Sequence, residues 1–110
     1  MRFEIAAGQG HPTQHVAISV SSGTNVLVAA PPTGQRIHVY NYAVVSTTAG
    51  TVKFTDGTTD LTGVMSFSAT GGIACPGGPS EVWFKTDLAE GLSIVTTAAC
   101  QGHLSYFIAP

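Results

Sequence analysis

The chain has 110 residues, of which ten are charged, and a formal net charge of −2 at pH 7. This length fits a single domain. The charged fraction of 9% is far below the roughly 25% of an ordinary soluble domain. Ser and Thr supply 23 residues and Gly another 13, so hydroxyl groups and backbone must cover much of the surface. Because there is no basic excess to neutralise phosphates, we expect no nucleic-acid partner.

Membrane and secretion signals are also missing from the sequence. No stretch approaches the roughly 20 apolar residues of a membrane-spanning helix. The segment Met1–Ile5 lacks the apolar core of a signal peptide. We therefore expect no membrane partner and a chain that is made and folded in the cytoplasm.

Apolar and polar residues alternate along most of the chain, which is typical of strands with one buried face. No window of a dozen residues shows the 3.6-residue period of an amphipathic helix. The sequence therefore predicts eight or nine short strands in an all-β sandwich or barrel, with residues 1–13 as an N-terminal arm and 14–110 as the domain. The apolar members of the alternation predict this core: Ile18, Val28, Ile37, Val39, Phe54, Phe67, Phe84, Ile94 and Leu104.

The longest predicted strand begins at Arg36 and changes phase along its length. Ile37 and Val39 share one parity, whereas Tyr40 and Tyr42 lie on the other. A β-bulge near Asn41 would re-aim the later residues, as strands that serve both sheets of a sandwich often require. A strand buried on both faces explains the pattern equally well.

The histidines do not form a recognisable metal motif. His11 and His15 are four residues apart, which suits two ligands on a helix but not on a strand. His38 stands alone on its strand, and His103 follows a glycine near the end of the chain. We expect structural or surface roles for all four, with a histidine cluster on an oligomer axis as the alternative.

The remaining reactive residues do not suggest a catalytic site either. Cys75 and Cys100 are expected to be reduced in the cytoplasm, with a disulfide as the alternative. A Cys100–His103 pair would lack a third group to orient it. Asp56 and Asp60 flank Gly57 and are typical turn residues. The sequence therefore predicts no enzyme, no metal and no cofactor.

Aromatic residues give the main indication of a binding surface. Trp83 lies opposite in parity to Val82 and Phe84, and the same argument places Phe107 opposite Tyr106, and Tyr40 and Tyr42 opposite Ile37. Outward aromatics on a weakly charged surface suit a protein interface, although they also suit a sugar-stacking platform or coverage by the chain's own loops. The predicted interface residues are Arg36, His38, Tyr40, Trp83 and Phe107.

The order of these pieces resembles small jelly-roll proteins of tailed bacteriophage virions, in particular capsid decoration (cement) proteins. The resemblance covers residues 14 to 109. It is carried by segments 20–29 (VSSGTNVLVA), 34–40 (GQRIHVY), 52–57 (VKFTDG), 61–63 (LTG), 71–73 (GGI), 79–86 (PSEVWFKT), 90–94 (EGLSI) and 102–106 (GHLSY).

The resemblance implies an antiparallel jelly-roll sandwich that acts as a virion structural protein on the outside of the capsid. Such proteins bind as homotrimers to the major capsid protein and stabilise the shell. We expect the arm to reach the next subunit or the capsid. The same fold serves in phage fibres and tail tips, so the alternative is a receptor- or carbohydrate-binding domain with Trp83 or Tyr40 as the stacking platform.

Overall fold

The computed structural model describes residues 12–110, which form nine strands and no α-helix, hence none that could cross a membrane. The predicted arm, residues 1–13, therefore lies almost entirely outside the described residues, as does His11; Thr13 already belongs to the first strand. The strands are β1 (Thr13–Val20), β2 (Gly23–Val28), β3 (Arg36–Ser46), β4 (Gly50–Thr55), β5 (Met65–Phe67), β6 (Gly71–Cys75), β7 (Phe84–Lys85), β8 (Leu92–Thr96) and β9 (Cys100–Ala109).

These strands form two antiparallel sheets that pack face to face. The five-stranded sheet has the order β1-β9-β3-β6, with β7 also paired to β3, and the four-stranded sheet has the order β2-β8-β4-β5. The chain crosses between the sheets after β1, β2, β3, β5, β7 and β8. This connectivity is that of a jelly-roll β-sandwich, which confirms the predicted fold class.

The core lies between the two sheets and matches the predicted set. Seven of the nine predicted residues are buried, and the other two, Phe67 and Phe84, are half-buried and pack against them. Phe54 is fully buried, with its ring centroid 4.9 Å from that of Tyr42 and 5.2 Å from that of Phe84. The alternation of apolar residues was therefore a sound guide to the buried face.

A β-bulge explains the change of phase in β3. Its pairing with β9 advances by two residues between Val39 and Asn41, while β9 moves by one, from Tyr106 to Ser105. Tyr40 is the extra residue, and beyond it Tyr42 faces the core. The bulge interpretation is confirmed, and the parity argument that placed Tyr42 on the outer face is wrong.

Gly102 allows β9 to lie close against β3 in the middle of the five-stranded sheet. Its φ is +155°, and a Cβ atom at this position would lie only 1.9 Å from the carbonyl oxygen of Ala43. We expect Gly102→Ala to lower the free energy of unfolding by about 2–3 kcal/mol, because the backbone of a central strand must shift. Urea unfolding measures this loss. Gly78→Ala is the control, since a Cβ there meets nothing within 4 Å; equal losses for the two variants would contradict the prediction.

Candidate functional site

Four of the five predicted interface residues lie together on the outer face of the five-stranded sheet. His38 of β3 is opposite Phe107 of β9 on one side and Lys85 of β7 on the other, and Arg36 is opposite Ala109. Tyr40 occupies the bulge beside them. The strand register thus gathers residues that are up to 71 positions apart in the sequence.

The rings of His38, Tyr40 and Phe107 form an aromatic cluster on this face. His38 stacks on Phe107 with ring centroids 4.7 Å apart and planes only 5° from parallel, and Tyr40 lies 6.4 Å from Phe107. His38 Nε2 is 3.3 Å from the Ala109 carbonyl oxygen. Burial, together with the positive charges of Lys85 and Arg36, lowers the pKa of His38 despite the hydrogen bonds to Ala109 and Pro110. The imidazole therefore stacks mainly as a neutral ring at pH 7.

The segment that precedes β7 covers part of the aromatic cluster. Val82 packs against Tyr40, Phe107 and Ala109, and the side chains of Tyr40 and Phe107 are only 6% and 2% exposed. Parity placed these two residues correctly outside the main core, but within a single chain they are not available to a partner. The alternation with Trp83 suggests that Val82 faces the core. In the structure, however, Val82 packs in this outer cluster.

Trp83 remains accessible at the edge of the cluster, with 53% of its surface exposed. Its backbone N–H donates to the Val39 carbonyl oxygen at 2.8 Å, and its indole Nε1 donates to the Pro76 carbonyl oxygen at 3.2 Å. Gly77 makes this placement possible, because a Cβ there would lie 3.0 Å from the indole nitrogen and 2.4 Å from the Tyr40 carbonyl oxygen. The ring is therefore both exposed and fixed in orientation.

Two cationic side chains flank the cluster. Arg36 is half-buried, and its Nε atom is buried without a hydrogen-bond partner in the part of the chain that the structure describes. Lys85 is exposed opposite His38. By contrast, Lys53 pairs with Asp60 at 3.1 Å on the other sheet. A carboxylate from a partner would therefore find two suitable cations on this face.

The other half of the outer face is built mainly from small side chains, with Gln101 and His103 as the larger members, and the sequence analysis did not identify this surface. Two rows cross the sheet from β1 through β9 and β3 to β6, and all their members are exposed or half-buried. Val45 is 54% exposed at the centre of the second row. We call these rows the small-residue surface; they are Ala17, His103, Ala43 and Ala74, then Ser19, Gln101, Val45 and Gly72.

A cleft of about 910 Å³ lies at the end of the sheet next to the small-residue surface. Hydroxyl groups of Ser21, Thr47 and Thr70 line it, and Cys100 contributes to its wall. Burial raises the pKa of the Cys100 thiol, although contacts with Ser46 and Thr96 act in the opposite direction. Cys100 is therefore a protonated thiol at pH 7 and a poor nucleophile.

The remaining candidate residues are dispersed. His15 Nδ1 lies 2.6 Å from Ser105 Oγ, and His103 is on the outer face whereas Cys100 faces the core, so the suggested Cys100–His103 pair does not form. Within residues 12–110 no three His, Cys, Asp or Glu side chains come close enough to hold a metal ion. Asp56 is a turn residue as predicted: its Oδ1 accepts from the N–H groups of Thr58 and Thr59.

The two cysteines lie on different strands with β3 between them. Cys75 is opposite Tyr42, which is opposite Leu104 on β9, four residues beyond Cys100. Two strand spacings alone amount to about 9.6 Å, whereas the Cα atoms of a disulfide lie within about 7 Å. We expect alkylation of the denatured, unreduced protein to modify both thiols, as intact mass will show. A mass lower by two hydrogen atoms, with no alkylation, would contradict this.

Comparisons with known proteins do not assign the chain to a family. No protein-family model and no curated protein matches it. Similar solved structures include a virus-like particle of the extra small virus of the giant freshwater prawn Macrobrachium rosenbergii, with 16% identity, TM-score 0.46 and coverage of 98% of this chain and 83% of that one. Another is a Bacillus endospore appendage, from a family of disulfide-linked pili, with 17% identity, TM-score 0.48 and coverage of 98% and 96%.

A third similar structure is a carbohydrate-binding module of Cellvibrio mixtus lichenase 5A in complex with cellotriose, with 15% identity, TM-score 0.39 and coverage of 96% and 95%. None of the three assigns an activity or a partner to this chain at this level of similarity. What the structure itself defines is a jelly-roll β-sandwich with few charged residues and with an aromatic cluster on the outer face of the five-stranded sheet.

Proposed function

We propose that this protein is a virion structural protein that binds as a homotrimer to the outside of a tailed-phage capsid and stabilises it. The observation that carries the proposal is the outer face of the five-stranded sheet, where the small-residue surface adjoins the aromatic cluster. Depletion of charge, with an accessible aromatic residue such as Trp83, is characteristic of protein interfaces.

The same face carries two different patches that support the proposed cyclic trimer. Each contact in such a ring joins two different patches, one from each subunit. The small-residue surface and the region around Trp83, Arg36 and Lys85 are two such patches on one sheet. Their association removes Val45 and Trp83, both more than half exposed, from water.

Capsid attachment follows the same physical logic. A rigid sandwich that straddles neighbouring capsid subunits adds contacts across their seam. If it binds only the assembled shell, it stabilises that state by mass action. In this arrangement the loops at the ends of the sandwich contact the capsid. Loops suit this role because they tolerate the sequence variation that specific contacts need.

A carbohydrate-binding role is the alternative, and one observation favours it. The Trp83 ring is half exposed and held by its hydrogen bond to Pro76, as a stacking platform for a sugar would be. Under this alternative the wild-type protein binds glycans on an array and Trp83→Ala abolishes that binding, while neither protein binds capsids. Under the main proposal the array gives no hits.

Light scattering and co-sedimentation with empty phage heads test the main proposal. We expect a trimeric mass at micromolar concentration and sedimentation with the heads in multiples of three. Val45→Lys should break the trimer, because it places a charge in the small-residue surface. Val64→Lys is the matched control, since Val64 is 63% exposed in the loop between β4 and β5. A wild-type protein that is monomeric and does not co-sediment with the heads would overturn the proposal.

A further inference from the structure

We infer that Arg36 and Lys85 form a docking site for an acidic side chain of a second protein, in which both cations bind one carboxylate. On the function proposed above, that second protein is the capsid protein, and this identification of the partner rests on that proposal. The two cations are a site for a carboxylate whichever protein supplies it.

Two of the three Lys and Arg residues in the described part of the chain are neighbours on the outer face of the five-stranded sheet. Lys85 of β7 is opposite His38 of β3, and Arg36 is two residues before His38. Diagonal neighbours of this kind lie about 7–8 Å apart, within reach of long side chains. Burial lowers the pKa of His38 most, and the charges of Lys85 and Arg36 lower it further. The positive potentials of the two cations therefore overlap at one place.

Neither cation has a counter-charge within residues 12–110. The ion pair in this range joins Lys53 to Asp60 on the other sheet. Arg36 is half-buried, and its Nε is the one buried side-chain nitrogen or oxygen of these residues that lacks a hydrogen-bond partner. A cation that is partly removed from water without a partner destabilises the folded chain. An anion from another molecule would supply the missing contact.

The guanidinium of Arg36 is suited to a planar carboxylate. Its Nε is inaccessible, but neither terminal nitrogen is buried in that way, so the terminal nitrogens can contact an incoming ligand. They can donate two parallel hydrogen bonds to the two carboxylate oxygens. Lys85 is exposed, and its flexible stem lets the ammonium group donate to one of the same oxygens.

The position of the two cations favours a protein over a small molecule. Small-molecule sites are concave, but these cations lie on a sheet face and line neither the 910 Å³ cleft nor a smaller one of about 360 Å³ at residues 80–83. A ligand bound here must therefore bring its own surface. Trp83, two residues before Lys85 and 53% exposed, offers that surface an apolar contact. The anion that a protein surface supplies is the carboxylate of Asp or Glu.

The small-residue surface of a neighbouring subunit does not supply this carboxylate, because it includes no Asp or Glu. In the proposed trimer the two cations therefore lie at the rim of the subunit contact, and their carboxylate comes from the capsid protein. Charge pairs at a rim fix the orientation of a partner and speed its association.

NMR titration with N-acetylglutamate N-methylamide, which carries one side-chain carboxylate, tests the site in the full-length chain. At constant ionic strength we expect saturable shifts of the His38 ring and the Lys85 amide, and none with the matching glutamine compound. Arg36→Gln should weaken binding at least about tenfold, because hydrogen bonds from a charged donor are lost. Lys85→Gln should weaken it about two- to fivefold, as for an exposed ion pair. Lys53→Gln is the matched control, since Lys53 already pairs with Asp60.

Three results would count against the site. Shifts that do not saturate would overturn it, and so would equal affinity in Lys53→Gln, Lys85→Gln and Arg36→Gln. Sulfate that binds as tightly as the glutamate compound at equal ionic strength would overturn the assignment to a carboxylate. Circular dichroism checks that the variants are folded, and the exposed Lys85 position tests the site even if Arg36→Gln does not fold.

Co-sedimentation with empty phage heads tests the identity of the partner separately. We expect the double variant Arg36→Gln, Lys85→Gln to bind heads at least about tenfold more weakly than Lys53→Gln, with both proteins trimeric by light scattering. Equal binding of the two would overturn the capsid protein as the source of the carboxylate. A wild-type protein that binds the glutamate compound but not the heads would refute the proposed function and support the carboxylate site.

Discussion

Phe54→Ala is expected to lower the free energy of unfolding by about 3–5 kcal/mol, a large share of the stability of a domain of this size. Phe54 is fully buried on β4 of the four-stranded sheet and contacts Tyr42 and Phe84 across the core. Removing its ring leaves a cavity that these two aromatic neighbours border. Since their backbones are held in paired strands, the cavity cannot collapse fully.

Phe67→Ala is the matched control for this prediction. Phe67 ends the three-residue edge strand β5 and is only half-buried, so the same truncation should cost clearly less. Urea unfolding with unchanged m-values measures both losses. If Phe67→Ala were as destabilising as Phe54→Ala, the prediction that the loss follows the depth of burial would be wrong.

The fold was predictable because strand periodicity and core burial depend on local sequence. The alternating residues of β1, β3, β4, β8 and β9 define one face each, and this face is the buried one. The phase change in β3 indicated the bulge, although the sequence could not say that Tyr40, rather than Asn41, would be the extra residue. That choice depends on the register with Tyr106 and Ser105, more than 60 positions away.

The candidate site was predictable only in part, for the same reason. The alternation of residues along the strands predicted that His38, Tyr40 and Phe107 point away from the main core. It could not predict that the segment before β7 covers Tyr40 and Phe107. Residues 76–83 contain two prolines and two glycines, and such segments have no periodicity to show where they pack. The small-residue surface escaped notice because Ala and Gly carry no functional signal until the register aligns them in rows.

Asp56→Ala is expected to lower the free energy of unfolding by about 3–4 kcal/mol at pH 7, because a buried charged acceptor serves several donors. The Asp56 residue is 4% exposed. Its Oδ1 accepts from the Thr58 and Thr59 N–H groups and the Thr58 hydroxyl, and its Oδ2 accepts from the Asp87 N–H at 3.0 Å. Thr86, next to Asp87, exchanges backbone and side-chain hydrogen bonds with Ile37. The carboxylate therefore ties the end of β4 in one sheet to β3 in the other.

The same contacts give this stabilisation a definite pH dependence. Burial alone would raise the pKa of Asp56, but the hydrogen bonds from Asp87, Thr59 and Thr58 outweigh it and hold the pKa below its ordinary value. The stabilisation is therefore fully present above the unfolded-state pKa of about 3.9, and is lost as the pH falls from there through the folded-state pKa. Asp56→Asn should remove the loss of stability at low pH that comes from protonation of the Asp56 carboxylate.

Asp60→Asn is the control, because Asp60 lies on the surface in an exposed pair with Lys53 and should change stability by less than about 1 kcal/mol. Urea unfolding of wild type and both variants from pH 7 to pH 2 measures the effect. An Asp56→Asn protein that loses stability below pH 4 as steeply as wild type would show that another carboxylate carries the acid sensitivity.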